Sequence, residues 1–383
     1  MRQHIILFIV TLFCFPFAEV SAQDKPVVDL GGALRFNYNM SSWKSAQQKR
    51  GGDFGYDIFR INAEVKYKGV YLNAEYRLYS RAFGGGVLKQ GWIGYPFKEN
   101  HEIQLGLAQV PFGIQRYNSH NWFFSLAYYF GLEDDHDMGL KYIYKNEKID
   151  FHFAYFKGAE ELSFGNKSEH SFSRYSYDVV GRNKEANQLN GKFVYKLGDK
   201  VKNKLGISGQ YGGLFNLDTE KYGNHYAFAG HYEMDYKSWN IKAQAIYCSH
   251  NPANADGELR DRVTMAAYGF PYEVAANFAL YTLGVSKTIP VNWGSISSLQ
   301  FYNDFSFMDK DKSDFEDSFM NVTGILVSAG NVYTYIDYAA GYNHSWLGGN
   351  FVDDFSVGNS DAKWEARFNI NFGYYFLTDN KSR

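Results

Sequence analysis

The stretch that decides the fold lies near the C-terminus: Trp364-Glu365-Ala366-Arg367-Phe368-Asn369-Ile370-Asn371-Phe372-Gly373-Tyr374-Tyr375-Phe376. In an extended chain, successive side chains point to opposite faces. Trp364, Ala366, Phe368, Ile370, Phe372, Tyr374 and Phe376 therefore share one face, and Glu365, Arg367, Asn369 and Asn371 share the other. One side is apolar and aromatic, and the other is wet. The same period recurs upstream. Ile61, Ala63, Val65 and Tyr67 oppose Arg60, Asn62, Glu64 and Lys66. Leu72, Ala74, Tyr76 and Leu78 oppose Asn73, Glu75 and Arg77. Trp239, Ile241, Ala243, Ala245 and Tyr247 oppose Asn240, Lys242 and Gln244.

Composition agrees with extended structure. The 383 residues include 33 Phe, 32 Tyr and 7 Trp but only 7 Pro. Aromatics favour strands, and so many of them argue against disorder. With 39 Lys+Arg against 41 Asp+Glu, the net charge is −2, which excludes the basic excess of a nucleic-acid binder. Residues 1–22 read as an export signal: Arg2 supplies the positive start, Ile5–Ala18 carries no charge, and Val20-Ser21-Ala22 precedes Gln23. Cys14 falls in that segment, so Cys248 stands alone in the exported chain with no disulfide or CxxC partner.

A soluble sandwich also alternates. Two features favour a membrane barrel with its apolar face toward lipid. The apolar faces are rich in Tyr, Trp and Phe near strand ends, as in interfacial girdles. The wet faces carry full charges at mid-strand, which a water-filled lumen would solvate. Beyond the export segment no run of 18 apolar residues occurs. A closed barrel is then the way to satisfy every backbone group in lipid. The segments fall at 28–40, 55–68, 70–80, 87–97, 101–110, 137–145, 148–158, 187–197, 203–214, 223–236, 238–248, 277–289, 293–307, 317–329, 331–344 and 363–376. The reading is thus an all-β, closed antiparallel transmembrane barrel of about sixteen strands over residues 23–383. Lys68-Gly69, Lys98-Glu99-Asn100, Asn146-Glu147, Lys237-Ser238 and Val291-Asn292 read as short turns, while 41–54, 111–136, 159–186, 249–276 and 345–362 read as long loops. That asymmetry is the outer-membrane pattern.

The stretch 105–142 resembles the phosphate-selective porin family of the porin O and P type. Gly106, Pro111, Phe112 and Gly113 match its strand-ending element, and Asp137 and Gly139 match the Asp-x-Gly that opens its next strand. The resemblance implies a homotrimeric outer-membrane channel whose third loop, here about 111–136, folds inward and narrows the lumen. It implies small hydrophilic solutes or anions as cargo, membrane lipid as surroundings, and no cofactor or metal.

Alternation turns ten cations inward: Arg35, Arg60, Lys66, Arg77, Lys141, Lys145, Lys192, Lys196, Lys242 and Arg367. Glu64, Glu75, Asp150, Glu233, Asp235, Asp304, Asp337 and Glu365 point the same way. Rings of one sign select ions, so this mixed wall implies a mild anion bias rather than a phosphate filter. Pro111 and Gly113 break the strand, and Arg116 follows where a constriction would begin. Trp122, Phe124 and Tyr128 form an aromatic track for sugars or the anchors that pack the loop. Glu133, Asp134 and Asp135 form an acidic arc with Asp137 around His136. It would set a field across the pore, hold a hard cation, or be a solvated turn. The spacing of a calcium loop is absent. No GxSxG, HExxH or Walker sequence occurs, so an enzyme is not expected. Three readings stand: a diffusion channel with an anion or phosphate bias, a carbohydrate-selective channel, and a barrel enzyme or adhesin without an open pore.

Overall fold

The computed structural model describes residues 25–160 and 165–376. The expected export segment, 1–22, lies outside them. The first strands in chain order are β1 (Val27–Ser41), β2 (Asp53–Tyr67), β3 (Val70–Tyr79), β4 (Gly86–Lys98), β5 (His101–Gln109), β6 (His136–Lys145), β7 (Ile149–Gly158), β8 (Asp178–Val179), β9 (Asn183–Leu197) and β10 (Lys202–Asn216). They continue as β11 (Tyr222–Tyr236), β12 (Trp239–Asn251), β13 (Arg262–Ala267), β14 (Phe270–Ala275), β15 (Asn277–Trp293), β16 (Ile296–Lys310), β17 (Ser318–Ala329), β18 (Val332–Tyr342) and β19 (Glu365–Phe376). Sixteen of these form one closed antiparallel barrel, each paired with its neighbours along the chain. β8, β13 and β14 form a separate three-stranded sheet within the long loops, so β7 pairs with β9 and β12 with β15.

The sixteen expected segments each coincide with a barrel strand, with ends shifted by up to about four residues. One expected turn moves. Val291 and Asn292 belong to β15, and the chain reverses at Gly294-Ser295 instead. A bulge between Pro290 and Trp293 disturbs the alternation there and imitates a turn in the sequence. The sequence reading also missed the three loop strands.

β1 closes on β19 over ten residue pairs, from Gly32↔Phe376 to Ser41↔Arg367. On the outside of this seam Leu34, Phe36, Tyr38 and Met40 lie opposite Tyr374, Phe372, Ile370 and Phe368. On the inside Asn37 lies opposite Asn371, and the Asn37 amide donates to Asn369 Oδ1 at 2.5 Å. The two-faced pattern holds around the wall. In β7, Phe151, Phe153 and Tyr155 are exposed outward while His152, Ala154 and Phe156 are buried inward. Tyr67, Tyr95, Tyr236, Trp239 and Trp293 are exposed near the end with the short turns, and Phe54, Tyr222 and Trp364 near the other. These are the two aromatic belts, with an apolar band between them. A closed barrel with such an exterior is a protein of the bacterial outer membrane.

The hairpin at Lys68-Gly69 shows why the turn end is compact. Both residues have positive φ, 47° and 79°, the two-residue turn that matches strand twist. The opposite end is filled. β13 and β14 make a hairpin, and β13 takes β8 on its other edge through Met265↔Val179 and Ala266↔Asp178. Val263, Met265, Tyr272 and Val274 from this sheet join Leu126, Tyr128, Tyr129, Phe130, Tyr175, Tyr177 and Phe355 in one buried cluster. The barrel therefore carries a second core inside its loop end.

The outward band predicts a depth-dependent penalty. Leu283, half exposed near the middle of β15, faces hydrocarbon. Leu283→Arg should lower the unfolding free energy in lipid by about 2–4 kcal/mol, read by urea titration of the refolded protein, with Leu283→Ala costing much less.

Candidate functional site

The loop between β5 and β6, residues 110–135 (L3), runs along the inside of the far wall. Gly113 N–H donates to Ser208 Oγ of β10 at 2.9 Å, and Ile114 N–H to Gln244 Oε1 of β12 at 2.8 Å. Asn118 Nδ2 donates to Thr282 Oγ1 of β15 at 2.8 Å. Asp304 of β16 accepts from His120 N–H and Asn121 Nδ2–H, each at 2.8 Å, and lies 2.7 Å from His120 Nδ1. Trp122 N–H reaches Asp337 of β18 at 3.4 Å. The sequence permits this course at its start. Gly113 has φ +54°, and a side chain there would collide with Gln244. Pro111 and Phe112 are buried beside it. Gly106 lies opposite Gly139 across β5 and β6, and at both a Cβ would strike a neighbouring backbone.

Two acids of L3, Glu133 and Asp134, are held by buried donors. Glu133 is buried and accepts from Asn118 N–H at 2.8 Å, Ser125 N–H at 3.1 Å and Ser125 Oγ–H at 2.5 Å. Burial pushes its carboxyl up to about 7, although those hydrogen bonds pull the other way. Burial also works to raise Asp134, yet this carboxyl stays below its ordinary value because Lys89 lies beside it. Lys89 Nζ donates to Asp134 Oδ2 at 2.6 Å, as does Tyr175 Oη at the same distance. Asp135 is also buried, as is Asp137 at the start of β6. The aromatic run is packed: Phe124 stacks on Tyr128 with centroids 4.0 Å apart, and Tyr128 Oη meets Tyr268 Oη at 2.6 Å. Trp122 lies edge-on to Phe123. Arg116 and Tyr117 form the exposed edge of the loop.

Eight of the ten basic residues read as lumenal fall into three groups. Lys141, Lys192 and Lys242 are engaged with L3 and its root. Their ammonium groups donate to Gln109 O at 3.0 Å, Gln115 Oε1 at 3.0 Å, and Tyr117 O at 2.8 Å with Ser119 O at 3.1 Å. Arg35, Arg60 and Arg77 share the β1–β3 wall, with Arg77 buried against the Tyr175 ring. Arg35 pairs with Asp57 at 2.9 Å, while Arg60 and Arg77 share Glu75 at 3.6 and 2.6 Å. Lys66 and Arg367 lie at opposite ends. Lys66 meets Glu64 at 2.5 Å near the turns, and the Arg367 guanidinium sits 5.2 Å from the Trp43 ring centre near the loops. Under L3, Lys145, Lys192, Lys204, His152 and His231 line a cavity of about 100 Å³ with Asp150 and Glu233.

The sequence reading missed Lys89, Asp57 and Tyr175. Lys89 sits at a bulge where Glu75 pairs with Gln90 but Tyr76 with Leu88. The alternation slips there, so period alone cannot assign its face. Its contacts join L3 to the loop that follows β7, since Lys89 lies 5.8 Å from the Tyr117 ring centre and 4.8 Å from that of Tyr175. Arg77 lies 4.6 Å from the same Tyr175 ring.

No family model matches the sequence, and no curated relative matches it. Solved structures match its fold. The trimer form of OmpT, an outer membrane protein of Vibrio cholerae, is 13% identical, with 92% of this chain and 100% of that one covered and a TM-score of 0.55. The outer membrane channel DcaP of Acinetobacter baumannii is 10% identical over 94% and 100%, with a TM-score of 0.58. An anion-selective porin from Comamonas acidovorans is 12% identical over 92% and 100%, with a TM-score of 0.56. The chain has the fold of the outer-membrane porins.

Two outcomes follow from the anchoring of L3. Asp304→Ala strands three buried or half-buried donors, and should lower stability by roughly 3 kcal/mol and expose 110–135 to added protease. Asp304→Asn keeps an acceptor oxygen and should lose less. The second outcome concerns pH. Because the folded Glu133 carboxyl titrates higher than an unfolded one, its contribution is full at low pH and is lost as pH rises through about 7. The difference in Tm between wild type and Glu133→Gln should therefore shift in the variant's favour from pH 4 to pH 8 in a thermal melt series.

Proposed function

We propose that the chain is a passive diffusion channel for small hydrophilic solutes, with a mild preference for anions and no covalent chemistry. The observation that carries the reading is the β1–β3 wall, where three arginines share two acids, Asp57 and Glu75. A side-chain ring of one sign biases ion passage at close quarters, and a residual positive charge gives a weak form of that bias. The narrowing would lie between this wall and the exposed edge of L3 at Arg116 and Tyr117. Arginine forks suit phosphate oxygens, so phosphate is the oxyanion to try first, in keeping with the resemblance to phosphate-selective porins. We propose a homotrimer, since one structure of similar fold is described as a trimer form, and removal of residues 1–22 on export.

The sugar-track reading is weakened by the packing of Phe124 on Tyr128, which leaves few ring faces for a sugar. A barrel working without an open pore draws support from the aromatic core that fills the loop end.

The test is single-channel current in a planar bilayer under a salt gradient. The reversal potential should show anion preference, and phosphate should slow the chloride current. Arg60→Ala with Arg77→Ala leaves Glu75 without its partners and should reverse the preference. A large current indifferent to both changes would mean a general porin, and no current from assembled protein would favour the closed barrel.

A further inference from the structure

At the foot of L3, three carboxylates from distant parts of the chain converge. Asp135 ends the loop, Asp137 opens β6, and Asp178 comes from β8 in the loop that follows β7. One oxygen from each lies within 4.8 Å of the others. All three residues are buried, at 7, 2 and 1% exposure. Asp137 Oδ2 accepts only a long bond from Gln188 Nε2 at 3.4 Å, and Asp137 Oδ1 has no hydrogen-bond partner among the described residues. Glu160 and Glu185 stand close by, with Glu160 accepting from Ser176 N–H and Glu185 from Val179 N–H. Among the described residues, the ion pairs of these five carboxylates all run through Arg174, which contacts Asp178 at 2.6 Å and also binds Glu160.

We propose that Asp135, Asp137 and Asp178 form a binding site for a calcium-sized divalent cation. Calcium takes carboxylate oxygens at about 2.3–2.6 Å, so three oxygens within 4.8 Å of one another need close in by no more than a few tenths of an ångström to share one ion. A buried carboxylate without a partner is costly, and one arginine cannot neutralise five acids. The consequence is mechanical. Asp178 lies in the strand that pairs with β13, so the ion would tie the root of L3 to the sheet inside the loop end. A cluster drawn from residues 135, 137 and 178 has no calcium-loop spacing in the sequence.

The test uses the refolded full-length protein in detergent free of lipopolysaccharide, stripped with chelator and titrated with terbium. Tyr177, buried next to Asp178, is positioned to pass excitation energy to the ion. Saturable emission excited through tyrosine and displaced by calcium is expected, together with a calcium-dependent rise in Tm. Asp137→Asn should weaken terbium binding at least about tenfold. Wild-type protein that gives no saturable emission and no calcium-dependent Tm would overturn the proposal, and that result needs no variant to fold. Terbium binding left unchanged in both Asp137→Asn and Asp178→Asn would overturn it too, because the ion would then sit elsewhere.

Discussion

Hydrocarbon offers no hydrogen bonds. Each strand that crosses the membrane must pair along both edges, and a single unpaired edge would leave a row of costly backbone groups in lipid. The seam between β1 and β19 meets that demand by joining the first strand to the last over ten register pairs. Everything else in the molecule follows from closure. Once the circle is complete, every second side chain faces lipid and must be apolar, and the rest face an interior too wide for strand side chains alone to fill. Sixteen strands enclose that much space. The loops are what occupies it.

The filling is of two kinds. At the loop end it is dry: β8, β13, β14, the turn at Leu126–Phe130 and Phe355 share an aromatic core. Lower down it is polar, where L3 meets Ser208, Gln244, Thr282 and Asp304 on the far wall. Inward acids and lysines that alternation alone would count as pore lining are here hydrogen-bond partners of a loop. Asp304 and Lys242 receive or donate bonds to L3 backbone groups that would otherwise be buried unsatisfied. On the β1–β3 wall the charges pair with one another instead.

Much of this was legible in the sequence because period-two alternation is a direct consequence of a wall with two solvents. It located the barrel strands, and it put Arg35, Arg60 and Arg77 on one face. It failed where the wall is irregular. The bulge at Lys89 hid a residue that touches both L3 and Tyr175, and the bulge before Trp293 looked like a turn. It failed again inside the loops. In β13, half-buried Arg262 and Thr264 alternate with buried Val263 and Met265 for four residues only, before Ala266 and Ala267 end the pattern, too short a run to announce a strand. The partnership of Glu133 with Asn118 and Ser125 is local, but the reach of Asp134 to Lys89 and of His120 to Asp304 spans 45 and 184 residues. Charge spacing along a chain carries no trace of such pairs.

The same pairing limits how strongly this barrel can select. A charge fixed by a neighbour of opposite sign acts on a passing ion mainly as a dipole, whose field falls away faster than that of a bare charge. Arg35 faces Asp57 at 2.9 Å, and Arg77 faces Glu75 at 2.6 Å. Arg60, at 3.6 Å from a carboxylate that Arg77 already holds more closely, is the member of the wall whose charge is least compensated there. Its guanidinium also lies 5.2 Å from the Tyr375 ring centre, on the last strand beside the seam. The excess positive charge of the wall therefore resides in one side chain held against a ring, and a single such centre would give only the weak bias proposed for the channel, since strong ion selection takes a ring of one sign.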